Sequence, residues 1–320
     1  MRRSWIAAIA LLMAASLPAY AADWPVKPIR AIIPFGPGSA TDVIPRVVFD
    51  KLSSLLGQQI VVENKGGAGS TLGTGMVAKA DPDGYTLLAT SSAYTIAPSL
   101  YSSLSYDAAR DLTAVGLIGS SPNVLIISAE KGINTVQDFV AAAKAKPGTF
   151  TFATVGVGSA VHMSAERFRM SAGYEAVHVP FKGGAEALTE VLSGRVDYYF
   201  CPIATALPFI RDGKLKALAV SSRTRAAQLP DVPTTLEAGY KDSDYSFWIG
   251  VFLPAATPHE IVAKLNAEMI KAVQTPEVTS KLAALGVVPA ALSPAEFEAQ
   301  VKSELAANPA FAKAAGMKMN

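Results

Sequence analysis

Two glycine-rich segments carry the residue types of this chain best suited to hold an anion: residues 34–42, PFGPGSATD, and residues 154–160, TVGVGSA. Each follows an apolar run and precedes a helical pattern, which predicts a strand-to-helix turn. Such a turn lets the backbone approach a ligand and directs unpaired N–H groups and the positive end of a helix dipole at it. An ordinary tight turn is the alternative for either segment alone. The presence of two predicts facing anion cradles in two similar domains.

Ser159 and His162 raise an alternative from another class, an exported hydrolase with a serine nucleophile and a histidine base. The G-x-S-x-G elbow of many such enzymes is broken here, because residues 158–161 read GSAV. We therefore predict that both residues form hydrogen bonds in a cleft or at a helix cap, and that the protein is not an enzyme. His162, His178 and His259 are too sparse for a zinc site, so we expect no metal and no cofactor.

The elements that must position the two glycine-rich loops alternate between strand and helix. We predict strands over residues 29–33, 60–63, 86–89, 124–128, 151–153, 176–179, 197–200, 216–220 and 247–253. We predict helices over residues 44–56, 71–80, 135–145, 160–172, 185–192, 258–274, 276–285 and 294–306. This order predicts mostly parallel sheets covered by helices on both faces. Ligands of such sheets bind beyond the carboxyl ends of the strands, where both loops fall.

The start of the first helix depends on Pro45, because proline is tolerated only where its missing N–H would have no intrahelical partner. Asp42 as the N-cap, rather than Thr41, places Pro45 at the last such position. The aromatic residues near strand ends leave two readings open, since they either wall a cleft or belong to the core. They are Phe35, Tyr94, Phe181, Phe247 and Trp248.

The length of 320 residues exceeds a usual single core and predicts two domains. We expect residues 22–122 and 247–320 to form lobe 1 and residues 123–246 to form lobe 2. The helical tail after residue 258 has too few strands for a domain of its own, so it should pack back on lobe 1. The chain would then cross between the lobes twice.

The first 21 residues have the pattern of a signal peptide: Arg2 and Arg3, an apolar run, and a small-residue site that predicts cleavage near Ala21 and export. Without them the chain carries 26 basic and 26 acidic residues, a balance that argues against nucleic acid as a partner. Cys201 is the single cysteine, so no internal disulfide forms, and we expect it to be a small buried side chain.

Further strings make the resemblance to one family specific. They include KADPDGYTLL at residues 79–88, VPFKGG at 179–184 and LPDVPT at 229–234, together with the two glycine-rich loops. Over essentially the whole chain after the signal peptide, the sequence resembles the periplasmic solute-binding receptors of tripartite tricarboxylate transporters, also called Bug receptors. The family's first loop usually reads PFPPGG, so Gly36 and Ser39 depart from it, as does Pro45 where alanine is usual.

The resemblance implies a two-lobed, periplasmic-binding-protein-like α/β fold, the Venus flytrap, with the helical tail on lobe 1. It implies that a small organic carboxylate, a dicarboxylate or an aromatic acid, lies between residues 35–42 and 156–159 and is held mostly by main-chain N–H groups. The expected partners are this ligand and the permease subunits of a tripartite transporter, and the protein is expected to be a monomer. A sensory receptor of the same fold is the runner-up. The ligand-binding residues that we predict are Phe35, Gly38, Ser39, Ala40, Thr41, Asp42, Ser91, Ser92, Gly156, Val157, Gly158, Ser159, His162, Lys182, Gly183, Gly184, Asp197 and Trp248.

Overall fold

The computed structural model describes residues 24–181 and 183–317, so the predicted signal peptide and Lys182 lie outside the described residues. The described strands are β1 (Ile29–Ile33), β2 (Ile60–Asn64), β3 (Thr86–Ser91), β4 (Leu112–Ser128), β5 (Phe150–Thr154), β6 (Ala176–Pro180), β7 (Tyr198–Pro202), β8 (Leu215–Val220), β9 (Ser246–Pro254) and β10 (Val288–Pro289). The described helices are α1 (Ala40–Leu56), α2 (Thr71–Ala78), α3 (Ala93–Leu100), α4 (Val136–Ala145), α5 (Ala160–Ala172), α6 (Gly184–Leu192), α7 (Ile203–Arg211), α8 (His259–Gln274), α9 (Pro276–Ala284) and α10 (Pro294–Ala314).

The strands form two sheets that share the long strand β4. Lobe 1 is built on the order β2-β1-β3-β9-β4, with β10 beside β4, and lobe 2 on β4-β7-β5-β6, with β8 beside β4. The first half of β4 pairs with β9 as far as the rung Pro122–Ser246. From Asn123 onward, β4 pairs with β7 instead. The chain therefore passes between the lobes along two strands, β4 and β9, that are hydrogen-bonded to each other.

Each lobe is a sheet between two layers of helices, because the strands are apolar on both faces. In lobe 1, α1, α8 and α9 cover one face of the sheet, and α2, α3 and α10 cover the other. In lobe 2, α4 and α5 pack on one face, and α6 and α7 on the other. The C-terminal helices thus pack on lobe 1, and the two-lobed α/β fold expected from the sequence is confirmed. Cys201 is fully buried, as expected.

Three predicted features differ from the structure. The strands are parallel within the β-α-β runs, as in β2-β1-β3 and β7-β5-β6, but β4 and β9 run antiparallel to their neighbours, so both sheets are mixed. Helices α3 and α7 were not expected, because Pro98 and Pro208 lie inside them. Helix α1 begins earlier than predicted, after the N-cap Ser39, and it accommodates Pro45 in its interior.

Candidate functional site

A cleft of about 390 Å³ lies where the carboxyl ends of strands from both lobes face each other. Both glycine-rich loops contribute to it, together with the residues that follow β3 and β7 and the crossover strands. It is lined by Phe35, Ala40, Thr41, Val43, Ile44, Ser91, Ala93, Ser121, Asn123, Val155, Ser159, Ala160, Val161, Pro202, Ala204, Thr205, Phe247 and Leu285. Its volume falls in the lower part of the range of small-molecule pockets, roughly 300–1,000 Å³.

The loop of lobe 1 is held in place by the carboxylate of Asp42, in the first turn of α1. Asp42 accepts hydrogen bonds from the amide of Gly38 at 2.8 Å, from Asn64 at 2.9 Å and from Arg46 at 2.8 Å. Asn64 also donates to the carbonyl of Phe35, which ties the loop to the end of β2. Burial raises the pKa of Asp42, but these hydrogen bonds outweigh it and leave that pKa below its usual value. The ionised carboxylate is therefore a structural brace of the loop.

The loop of lobe 2 has the same construction around His162, in the first turn of α5. The amide of Gly158 donates to the imidazole Nδ1 at 3.2 Å, and the N-cap Ser159 accepts from the amide of His162. Burial, followed by the nearby charges of His178 and Arg169, lowers the pKa of His162 to about 3. The imidazole is therefore neutral at physiological pH, and its Nδ1 is free of a proton and able to accept this bond.

The two loops share the string Gly-x-Gly-Ser-Ala, and their backbones are nearly the same at the second glycine and the serine. Gly38 and Gly158 have φ of 79° and 76°, in the left-handed region that favours glycine. Ser39 is the N-cap of α1, with φ of −69° and ψ of 159°. Ser159 is the N-cap of α5, with φ of −65° and ψ of 155°. The two cradles therefore present the first turns of two helices to one cleft in an equivalent way.

The ligand-facing donors of these helices are the first two amides of each. Since the glycine amides are taken by Asp42 and His162, the amides of Ala40 and Thr41 and those of Ala160 and Val161 remain, and within the described residues these four have no backbone acceptor. These residues line the cleft. Helix N-termini attract anions through such amides and through the helix dipole. Two pairs of donors on opposite walls can each hold one carboxylate.

The rest of the cleft wall is largely apolar, and the described residues that line it include no charged side chain. Phe35 and Phe247 wall the cleft on the lobe 1 side, whereas Tyr94 is a core residue and Phe181 packs at the edge of the lobe 2 core. The polar lining groups are hydroxyls and one amide. They belong to Thr41, Ser91, Ser121, Asn123, Ser159 and Thr205. Within the described residues, no cluster of His, Cys, Asp and Glu has the makings of a metal site.

The structure brings five of the predicted ligand residues directly to the cleft wall: Phe35, Ala40, Thr41, Ser91 and Ser159. Others lie in the same loops, where they shape the backbone without lining the cleft. These are Gly38, Ser39, Asp42, Gly156, Val157, Gly158 and His162. Ser92 caps α3 behind Ser91, and Gly183 and Gly184 begin α6. Lys182 lies outside the described residues.

Two predicted residues are placed away from the cleft. Asp197 precedes β7, at the opposite end of that strand from Pro202, and its carboxylate is bonded to Lys131 at 2.6 Å and to the amide of Thr151 at 2.8 Å. Trp248 faces the other side of β9, because neighbouring side chains of a strand point to opposite faces. Its neighbour Phe247 takes the place in the cleft. The ligand-binding roles predicted for Asp197 and Trp248 do not fit these positions.

The arrangement of Ser159 and His162 does not match a nucleophile with its base. The hydroxyl of Ser159 donates to the carbonyl of Gly156 at 2.7 Å, and Nδ1 of His162 accepts from Gly158. The remaining ring nitrogen, Nε2, faces Glu166 at 3.9 Å. The hydrogen bonds of both residues therefore stabilise the loop of residues 156–159 and the N-terminus of α5.

Several cleft residues went unrecognised in the sequence. Asn123 lies where β4 passes from one sheet to the other, and its side-chain amide donates to Ser164 at 2.9 Å. Pro202 ends β7, and Ala204 and Thr205 follow it; the alternation of strand and helix would have found them had α7 been recognised. Leu285 reaches the cleft from the end of α9, and no local pattern in the sequence points to it.

In the part of the chain that the structure describes, no helix is long and apolar enough to cross a membrane. The two-lobed α/β fold with a cleft between the lobes is an architecture in which solute-binding proteins hold their ligands. The model of the family described as "Tripartite tricarboxylate transporter family receptor" matches residues 44–317. This chain belongs to that family.

Relatives and solved structures agree with this assignment. BugT of Bordetella pertussis is 36% identical over 290 residues, which covers 90% of this chain and 89% of BugT. The periplasmic binding protein BugD superposes with a TM-score of 0.78 at 31% identity, covering 92% of this chain and 100% of BugD. Rpa4515 of R. palustris, solved with adipate, superposes with a TM-score of 0.80 at 30% identity, covering 92% of this chain and 100% of Rpa4515. MatC of Rhodopseudomonas palustris, solved with malate, superposes with a TM-score of 0.77 at 31% identity, covering 90% of this chain and 99% of MatC.

Proposed function

We propose that this protein is a periplasmic receptor that binds a small dicarboxylate between its lobes and delivers it to the membrane subunits of a tripartite transporter. The observation that carries the proposal is the matched pair of helix starts, with two free amides on each wall of one cleft. Two related receptors, Rpa4515 and MatC, were solved with adipate and malate, both dicarboxylates. We retain the assignment of residues 22–122 and 247–320 to lobe 1 and of residues 123–246 to lobe 2.

The wall between the two donor pairs favours a ligand with an apolar body. Phe35 and Phe247, with the aliphatic side chains of Val43, Ile44 and Leu285, would surround the chain that joins the carboxylates. A hydroxyl group buried there without a partner would cost about 1–3 kcal/mol. An unsubstituted or aromatic dicarboxylate should therefore bind better than a hydroxylated one of the same length.

A thermal-shift screen of malate, adipate, citrate and benzoate tests ligand class. A ligand at 100 times its dissociation constant stabilises a protein by roughly 2.7 kcal/mol, which raises the melting temperature by several degrees at this size. Succinate, added to the screen as the unsubstituted acid of the same length as malate, should shift the melting temperature more than malate does at equal concentration. If amines or sugars shift it and no carboxylate does, the proposal is wrong.

Delivery and catalysis need separate tests. Uptake of the bound acid into vesicles that contain the cognate permease should require this protein, whereas a sensory receptor would bind the acid and support no uptake. A hydrolase would turn over a carboxylic ester and lose that turnover in Ser159→Ala, and we expect no turnover in either form. Binding should also close the lobes, since a ligand that contacts both favours the closed state. Small-angle scattering should then show a smaller radius of gyration with ligand.

A further inference from the structure

A second cavity of about 600 Å³ lies behind the crossover strands, on the face opposite the ligand cleft. The register of β4 and β9 shows the relation: in the pair Ser121–Phe247 both residues line the front cleft, and in the next pair, Ser120–Trp248, both line the rear cavity. Helix α5 of lobe 2 and helix α10 of lobe 1 complete its walls. Any molecule bound here would contact both lobes.

Arg167, on α5, is one of the two cationic side chains among the described residues that line this cavity. Its guanidinium lies over the rings of Tyr245 at 5.7 Å and Phe311 at 5.0 Å, and its Nε is buried without a hydrogen-bond partner in the described structure. None of the ion pairs formed among the described residues includes Arg167. The ring contacts hold the guanidinium plane in place and leave its edges available to an acceptor.

One acidic group of the wall, Glu304, is hydrogen-bonded to other donors, and burial raises its pKa although the charge of Arg167 opposes that rise. Its carboxylate accepts from Trp248 Nε1 at 2.9 Å, from Thr95 at 2.8 Å and from Gln300 at 3.1 Å. The other acidic group, Asp244, is paired with Arg223 at 2.8 Å. Both acids therefore have partners of their own.

Asn308 supplies a second, independent sign of a ligand. Asn308 lines the cavity, and only 2% of its surface is exposed. Within the described part of the chain, its amide forms no hydrogen bond. The buried Nε of Arg167 also has no partner, and a buried donor in that state costs about 1–3 kcal/mol and is rare in native proteins. A bound molecule that accepts from Asn308 and Arg167 together would satisfy both.

We propose that this rear cavity is a second binding site, for a small carboxylate with a flat apolar body. A carboxylate matches the planar edge of a guanidinium with two parallel hydrogen bonds, better than a point charge would. The rings of Tyr245 and Trp248 provide flat apolar surface for the body of the ligand. The site is distinct from the front cleft and does not depend on what binds there.

Trp248 allows the proposal to be tested directly by fluorescence. The exported protein with Trp24→Phe keeps Trp248 as its reporter, and sodium benzoate is the probe. Benzoate should change the emission saturably, and Arg167→Gln should raise its dissociation constant at least tenfold. Asn308→Ala should raise it several-fold, and Arg195→Gln, at an exposed arginine that is paired with Glu190 and does not line the cavity, should leave it within twofold.

Two further measurements separate the rear site from the front one. Ala40→Pro with Ala160→Pro, which removes front-cleft donors, should leave the benzoate response of Trp248 intact, and Arg167→Gln should bind adipate as before. An unchanged benzoate affinity in both Arg167→Gln and Asn308→Ala would overturn the proposal. Loss of the response in the proline variant would also overturn it, because Trp248 would then be reporting the front cleft. Equal affinity for inorganic phosphate would overturn the assignment to carboxylates.

Discussion

Gly158 and His162 are joined by a hydrogen bond from the glycine amide to the imidazole Nδ1, and Gly38 and Asp42 are joined in the same way in the other lobe. A glycine amide that would otherwise face the cleft is thereby bonded within each loop. The donors left for an anion are the first two amides of each helix. The cradle of lobe 1 is consequently smaller than the whole glycine-rich segment, residues 34–42, to which the sequence pointed.

Replacement of Ala160 by proline should weaken ligand binding without unfolding the protein. Proline is favoured at the first position of a helix, and Ser159 already has the extended ψ of 155° that suits the residue before a proline. The variant removes one N–H, and a hydrogen bond to a charged group contributes about 1.5–3 kcal/mol, which corresponds to a loss of roughly 10- to 150-fold in affinity. Calorimetric titration with adipate measures this.

Ala160→Gly, which keeps the amide, is the matched control and should bind within a few-fold of the wild type. The equivalent change in lobe 1, Ala40→Pro, should have a similar effect. Normal affinity in both proline variants would show that the helix amides are not the donors.

Gly38→Ala and Gly158→Ala should lower the stability of the folded protein by different amounts. Both glycines have positive φ, and an alanine there costs about 1–2 kcal/mol in either case. A Cβ at Gly38 meets nothing within 4 Å, whereas a Cβ at Gly158 would lie 2.5 Å from Cδ1 of Leu100, on α3 of the other lobe. Chemical denaturation should therefore show Gly158→Ala to be the less stable variant. In a double-mutant cycle of Gly158→Ala with Leu100→Ala, the losses in unfolding free energy should be less than additive. Strict additivity would mean that the side chain of Leu100 moves aside to accommodate the new Cβ.

His162 should make the protein less stable in acid. Its pKa is about 3 in the folded protein and about 6.5 when unfolded, so the unfolded state binds a proton first as the pH falls. The stability from this group is complete above pH 6.5 and is lost between there and pH 3, at about 1.4 kcal/mol per pH unit. Urea titrations across this range should show a shallower dependence for His162→Gln. Parallel curves for the two proteins would mean that His162 is protonated in the folded state.

Ser221 should be the most sensitive hydroxyl of the region between the lobes. It is fully buried, accepts from the amide of Asn123 at 3.0 Å and donates to the carbonyl of Tyr245 at 2.6 Å, so it ties β4 to the segment that enters β9. Ser221→Ala leaves both groups unpaired and should cost about 1–3 kcal/mol. Ser222→Ala, at a neighbour bonded only to the carbonyl of Thr224, should stay within about 0.5 kcal/mol. Equal effects would indicate that water replaces the Ser221 hydroxyl.

The sequence pointed to those parts of the fold that rest on local pattern. The apolar run of β1 followed by Gly36 and Gly38 predicts a strand and a turn from local pattern alone, and the same holds for β5 with Gly156 and Gly158. The first half of β4 was not recognised, because Gly116 and Gly119 interrupt its apolar pattern. Those glycines are needed because Val288 and side chains of α8 pack closely against them, a tertiary reason that no local pattern carries.

The cleft itself was only partly predictable from residue types. Asp197 has the right chemistry for a binding site but lies at the wrong end of its strand, and strand direction within a sheet is set by pairing. Phe247 and Trp248 were equally plausible, because the choice between two faces of β9 depends on the register with β4. Asn123 lies next to the last rung between β4 and β9, which only the assembled sheets define.

The rung Pro122–Ser246 also has a consequence for the architecture as a whole. The pairing of β4 with β9 ends at Pro122, and the chain returns to this ladder at Ser246. These two residues are neighbours across the ladder. Lobe 2 is therefore an insertion whose two ends start side by side across one strand pair, so a short linker can span the distance between them. A short glycine linker from residue 122 to residue 246 would close lobe 1 as a separate half-receptor. Such a half-receptor would carry one of the two cradles alone.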